Sequence, residues 1–212
     1  MNNSPAKKTN YNDVMKETIK GLSGRKKMFL HSCCGPCSSA VIERLQKFFE
    51  ITVFYYNPNI LPKAEYEKRK EEQKRLIEKL NEKNENKISF VEGDYEIQAF
   101  TCAIAGFEDF PEGSERCKNC YRFRLEKTAK IAKENNFDFF STTLSVSPHK
   151  NSNWINEILF EIEEKLIKKG EKLRPLYADF KKENGYLRSL ELAKEFNLYR
   201  QTYCGCRQNS FN

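Results

Sequence analysis

Residues 29–39 read Phe-Leu-His-Ser-Cys-Cys-Gly-Pro-Cys-Ser-Ser, an apolar run that ends in three cysteines within five residues. Residues 28–30 are predicted to form a short buried strand. Gly35-Pro36 supplies a turn and a first helical residue at which proline forfeits no hydrogen bond. Cys33, Cys34 and Cys37 are therefore placed where a strand hands over to a helix N-terminus. Unpaired N–H groups and the positive end of the helix dipole favour anions there, and thiolates are anions. In a parallel sheet this is also the edge at which α/β proteins bind ligands.

The remaining chain alternates strand and helix signals. Apolar residues at helical spacing (Val41, Ile42, Leu45, Phe48, Phe49) mark a helix over 35–49, followed by a β-branched and aromatic strand at 51–56. A long charged helix starts at Pro62, with Tyr66, Gln73, Leu76, Ile77 and Leu80 on one face. A third strand is expected at 88–91, then a short helix carrying Phe100, Cys102 and Ile104, with Cys102 in the core. A strong helix runs on from Cys117, and a fourth strand spans 137–144. An amphipathic helix through Ile155–Leu166, a short strand at 173–176 and a helix over 186–196 complete the chain before Tyr203-Cys-Gly-Cys206. Such alternation predicts an α/β fold, a doubly wound and mostly parallel sheet with a helical C-terminal part. Residues 1–26 are expected to be a flexible lead-in with about one helical turn near Asp13 to Ile19, and 27–212 a single α/β catalytic domain.

Of 212 residues, 32% are charged and the formal net charge is +7, a balance that suits a polyanionic partner such as RNA and equally a Lys/Glu-rich helical surface. No run of eighteen apolar residues occurs and the start has no apolar signal core, so a cytoplasmic protein without a membrane span is expected. Eight cysteines in a reducing compartment point to metal or redox chemistry rather than a disulfide framework.

Cys117-Lys-Asn-Cys120 puts two sulfurs on one helix face. Joined with Cys33 and Cys34 it offers four thiolates at one sheet edge, a soft donor set for zinc or an iron–sulfur cluster. The fifth sulfur, Cys37, is surplus for zinc and suits an iron–sulfur cluster better. Cys204-Gly-Cys206 is either a strained redox-active disulfide or two packed thiols. His31 lies on the same side of its strand as Cys33, as a proton donor or a satisfied structural histidine. Arg124, one turn after Cys120, is placed to neutralise cluster or substrate charge or to make a surface ion pair.

Taken together, His31-Ser-Cys-Cys-Gly-Pro-Cys37, Tyr56-Asn-Pro-Asn59, residues 66–69, Glu92-Gly-Asp-Tyr95, the run 112–124, Thr142-Thr-Leu-Ser-Val-Ser-Pro-His149 and Tyr203-Cys-Gly-Cys206 resemble the cobalamin-independent epoxyqueuosine reductase family over about residues 27–206. The resemblance implies a sheet like that of the adenine-nucleotide α-hydrolases, and reduction of the epoxide of epoxyqueuosine to queuosine at the wobble position of tRNA. It implies a [4Fe–4S] cluster on Cys33, Cys34, Cys117 and Cys120, with an additional mononuclear iron beside Cys37. An electron donor is implied as a further partner. ATP is not expected, because sulfur fills the place where that fold carries a phosphate-cradling Gly/Ser loop.

Exchanging an epoxide for an alkene takes two electrons and two protons and releases water. His31, Tyr121 or a water is expected to deliver protons, with Cys37, Cys204 and Cys206 in the redox machinery. Tyr56, Asn57, Tyr66, Arg69, Tyr95 and Arg124 are the expected substrate contacts, the tyrosines by stacking on an extruded base. The rival readings are a zinc-stabilised RNA-binding module, an iron–sulfur tRNA sulfurtransferase-like enzyme and a thiol–disulfide protein working through Cys204 and Cys206.

Overall fold

A computed structural model describes residues 9–206. Five parallel strands form one sheet: β1 (Lys26–Ser32), β2 (Phe49–Tyr55), β3 (Ser89–Glu92), β4 (Phe139–Thr142) and β5 (Arg174–Pro175). Their order is β3-β2-β1-β4-β5, so the winding reverses between β1 and β4. A crevice at that reversal, outside the carboxyl ends of the strands, is where such sheets take ligands.

Helices cover both faces, so β1 is buried on both sides from Met28 to Ser32. Met28 and Leu30 face a core shared with α2 (Gly35–Leu45), α3 (Lys63–Lys83) and α7 (Gly185–Glu195). Phe29, one residue out of phase, faces a second core built with α5 (Glu115–Glu134) and α6 (Ser152–Lys168). The short α4 (Ile97–Ala103) adds a small cluster around Phe100, Ile104 and Cys120. Among the described residues no helix is long and apolar enough to cross a membrane.

Several expected boundaries move, each for a local reason. The helix after the cysteines stops at Leu45 and β2 already begins at Phe49, since Lys26 N–H donates to the Phe48 carbonyl and pulls the chain into the sheet. The fourth strand ends at Thr142 rather than residue 144. Its hydroxyl accepts the Leu144 N–H and turns Thr143–Val146 into a 3-10 turn. Cys102 is exposed instead of core, because it lies about 200° around α4 from the buried Phe100. The lead-in is also more ordered than expected. Tyr11–Lys20 forms a ten-residue helix, α1, capped by Asn10, and its Met15 is buried in the first core. Residues 1–8 of that stretch lie outside the described residues.

Candidate metal and redox site

Cys33 follows the last residue of β1, Cys34 is the N-cap of α2 and Cys37 lies in its first turn. Gly35 lets α3 approach this junction closely: a Cβ there would stand 3.2 Å from the Glu72 carbonyl oxygen, and α3 would have to give by a few tenths of an ångström to admit it. Below the loop, Gln73 Oε1 lies 2.6 Å from both the Ser32 and Ser38 hydroxyls, a buried clasp that ties α3 to both ends of the cysteine turn. The Sγ atoms of Cys33, Cys34 and Cys37 all lie within 4.8 Å of one another, close enough to share one metal ion.

Three crowded thiols cannot all ionise. Cys34 accepts from the Cys33 and Cys37 thiols and from Gln201 Nε2 at 3.3 Å, so its thiol is held well below the usual range. The donors shift the other way: Cys33 is pushed up to about 11 by its hydrogen bond to Cys34, and Cys37 well above the ordinary value by its bonds to both. A metal ion bound here would displace the thiol protons, and Cys34, held lowest, would give its own up most readily.

The other sulfurs form a neighbouring group. Cys117 and Cys120 are buried in the first turns of α5, and Cys117 Sγ accepts the Gly113 N–H at 3.3 Å. Cys204 and Cys206 are free thiols, with Cys204 Sγ 3.2 Å from Lys150 Nζ. The hydrogen bond from Cys206 and the Lys150 charge hold the Cys204 thiol well below its ordinary value, and Cys206 moves up in exchange. Lys150 is itself raised. Burial opposes its charge, but the Cys204 thiolate and the Glu112 carboxylate at 2.7 Å outweigh that.

Arg124 links the two groups. It is fully buried, makes no carboxylate ion pair among the described residues and donates to the Cys120 carbonyl at 3.2 Å and to Asn57 Oδ1 at 3.4 Å. Burial works against its cation, while the sulfurs of Cys120, Cys204 and Cys33 favour it and prevail. Of the two roles open from the sequence, the surface ion pair is therefore excluded.

A cavity of about 480 Å³ opens over these groups, lined among others by Cys33, Cys37, Arg69, Arg124, Lys150 and Cys204. Arg69 is buried against Glu65 at 2.6 Å and donates to the Cys204 carbonyl at 3.2 Å, docking the C-terminal segment on α3. Gly205 (φ +93°) completes that dock, its carbonyl taking the Leu61 N–H at 2.8 Å.

The expected tyrosines lie elsewhere. Tyr56 and Tyr66 are fully buried with hydroxyls bonded to Glu96 (2.7 Å) and Glu92 (3.0 Å), and Tyr95 donates to the Ile60 carbonyl. None of the three lines the cavity, whose aromatic lining is Tyr186 and Tyr203. Asn57 is buried and fastens the Ser32 carbonyl at 2.8 Å. Tyr121 is buried, with no hydrogen-bond partner for its hydroxyl among the described residues. His149 lines the cavity mouth.

His31 has both nitrogens engaged. Nε2–H donates to the Tyr56 carbonyl at 3.1 Å, which leaves Nδ1 to accept the Thr142 hydroxyl at 2.8 Å. It thus ties β1 to the ends of β2 and β4. Burial and the Arg124 charge lower its pKa to about 3. The native imidazole stays neutral while the unfolded chain titrates near the ordinary value of about 6.5. Its contribution is complete above that value and lost as pH falls, by about 1.4 kcal/mol per pH unit, down to the folded value. Urea unfolding of the metal-free protein between pH 6 and 4 should show this slope, and His31→Gln should flatten it (pH range about that of the two pKa values).

Sequence reasoning missed Lys150, Gln201, Tyr186 and the Ser32–Ser38–Gln73 clasp. Lys150 directly follows the Ser-Pro-His motif, a signal that was present, whereas Gln201 meets Cys34 across 167 positions and had none.

Comparison with known proteins assigns the family. A profile of the family described as epoxyqueuosine reductase QueH matches residues 28–211. The chain belongs to the epoxyqueuosine reductase QueH family. Epoxyqueuosine reductase QueH of Streptococcus pyogenes serotype M1 is 40% identical over 208 residues, covering 97% of this chain and 80% of that protein. The Staphylococcus epidermidis protein of the same name is 36% identical over 204 residues (94% and 84% covered), and that of Thermotoga maritima 37% over 182 residues (84% and 88%). As a QueH-family member the chain is an epoxyqueuosine reductase, an oxidoreductase. The U34-tRNA thiolase NcsA of Methanococcus maripaludis, solved with its [4Fe-4S] cluster, matches with a TM-score of 0.52 at 12% identity, covering 95% of this chain and 68% of that one. That likeness shows the fold alone, and it is the doubly wound α/β fold expected from the strand–helix alternation.

Proposed function

We propose that this reductase acts on tRNA carrying epoxyqueuosine at the wobble position and holds a [4Fe–4S] cluster on Cys33, Cys34, Cys117 and Cys120, with Cys37 beside an additional mononuclear iron. The observation that carries the reading is the packed group of Cys33, Cys34 and Cys37 at the floor of the cavity, at the winding reversal of the sheet. The donors fit: they are soft sulfurs, the Cys34 thiol is held well below its ordinary value, and the buried Arg124 cation stands ready for added negative charge. When bound, iron and sulfide would supply electrons singly and a Lewis-acid site for the epoxide oxygen.

The chain's own residues do the rest. The cavity is of the size that takes one small ligand, here one extruded nucleobase with its substituent. His31 is a positioning residue: with both nitrogens bonded inside the protein it orients the end of β1 and offers no proton to substrate. Lys150 Nζ holds a proton at the cavity wall, and the half-exposed Glu112 carboxylate beside it leads to solvent. The Tyr121 hydroxyl, which has no hydrogen-bond partner among the described residues, does not line the cavity and could carry a second proton only through an intervening water. Cys204 at the same wall, its thiol held low by a hydrogen bond from Cys206, forms with Cys206 a dithiol able to pass electrons by closing to a disulfide, with an external donor restoring it.

The test is anaerobic reconstitution with iron and sulfide, metal and acid-labile sulfide analysis, and incubation with epoxyqueuosine-containing tRNA and a strong reductant. Nucleoside mass analysis should show loss of one oxygen. Cys117→Ser should lose both the visible absorbance and turnover; retention of both would refute the ligand set. A single zinc without sulfide would favour a structural metal instead.

A further inference from the structure

Four cations line the cavity: Arg69, Arg124, Lys150 and Arg200. Two have a carboxylate on this chain, Arg69 with Glu65 at 2.6 Å and Lys150 with Glu112 at 2.7 Å, while Arg124 is buried with its N–H groups on the Cys120 carbonyl and Asn57 Oδ1. Arg200 has neither a carboxylate nor a sulfur partner among the described residues. Its guanidinium instead donates one hydrogen bond to the Tyr186 hydroxyl at 2.8 Å, with Cζ 5.5 Å from the centre of that ring. A phenol bond neutralises no charge but fixes the direction of a flexible side chain. The remaining N–H groups of the fork are left to the solvent at the cavity mouth.

The position has a scale. Arg200 adjoins Gln201, whose amide touches Cys34 Sγ at 3.3 Å, and neighbouring Cα atoms are about 3.8 Å apart. Arg200 is exposed where Gln201 turns inward, so the chain passes from the sulfur floor to the rim within one residue. A cavity of about 480 Å³ admits one nucleobase but not its neighbours along a strand. The backbone phosphates flanking an inserted base must stay at the rim, where the unmatched cation stands.

We propose that Arg200, aimed by Tyr186, is the subsite for an RNA backbone phosphate adjoining the reacting nucleotide. A planar guanidinium matches two phosphate oxygens with parallel N–H bonds. Such contacts set position without reading sequence, which suits an enzyme that recognises a modified base inside the cavity. This inference rests on the tRNA reading above.

The test uses the full-length reconstituted protein and a fluorescein-labelled anticodon stem-loop RNA without the modified base, titrated by anisotropy between about 50 and 200 mM salt. Arg200→Gln should weaken binding about tenfold and make the plot of log K against log salt shallower by about 0.7 to 1, the loss of one phosphate contact. Arg200→Lys keeps the charge and should keep the slope while losing a few-fold in affinity for want of the fork, about half a log unit. Lys168→Gln is the charge-matched control. It sits at the far end of α6, about 25 Å along a 17-residue helix that starts beside the cavity, and should keep the wild-type slope. An unchanged Arg200→Gln slope, or an equal change in Lys168→Gln, overturns the subsite while leaving the reductase reading intact. A wild-type protein that converts no epoxyqueuosine tRNA and binds no stem-loop overturns both.

Discussion

Cys34→Ser is expected to abolish iron binding and turnover while leaving the metal-free fold as stable as before. Cys34 is the N-cap of α2, in extended conformation (φ −173°, ψ 160°), and its side chain makes no capping bond. Serine is among the preferred caps, so the substitution should be neutral or stabilising by about 0.5 kcal/mol. The same change removes one sulfur of the Cys33–Cys34–Cys37 group, the one whose thiol is held lowest. A hydroxyl does not ionise there and is a poor ligand for soft metals. We expect turnover to fall at least about a thousandfold, equivalent to about 4 kcal/mol of barrier. Thermal melting of the metal-free protein, iron analysis after reconstitution and single-turnover conversion separate the two effects. Wild-type iron content together with wild-type turnover would sink the assignment.

Arg124→Leu should act through charge rather than ligation. In the metal-free protein the guanidinium is buried without a carboxylate, so removing it relieves a desolvation penalty. Against this stands the loss of its bonds to the Cys120 carbonyl and Asn57 Oδ1, about 1–3 kcal/mol for each acceptor left unsatisfied. The two oppose each other, and the unloaded protein should remain folded. The loaded protein should suffer more. Adding an electron beside sulfur ligands is easier with a cation nearby, so its removal should make the reduction potential more negative, by about 60 mV for each tenfold change in the one-electron equilibrium. Turnover should fall by about a hundredfold, comparable to the loss of one preorganised electrostatic donor. A redox titration showing no shift, or a shift to more positive values, would refute the role given to Arg124.

Much of this arrangement was legible because it is local. A β-branched, aromatic or apolar run followed by helical periodicity is a short-range pattern, and its repetition along the chain suffices for a parallel doubly wound sheet. The strand-to-helix placement of Cys33, Cys34 and Cys37 needed only Gly35-Pro36 and the run before them. Cys117 and Cys120 on one helix face followed from spacing. Where periodicity is thin, expectation and structure part: α4 is only seven residues long, and Cys102 lies on its exposed face rather than in the core.

Residue identity and short-range spacing thus determined by themselves that this chain is an α/β protein with thiols gathered at the carboxyl edge of its sheet. Only the packed structure decided which side chains surround them. Arg124 became a buried cation rather than a surface ion pair, His31 a strut between three strands, and Tyr56 and Tyr66 came to rest buried with their hydroxyls on Glu96 and Glu92. Lys150, Gln201 and Arg200 arrived at the cavity from distant segments. Contacts across more than a hundred positions depend on where whole helices come to rest. That is settled by burial summed over two cores, and no local pattern of residues encodes it.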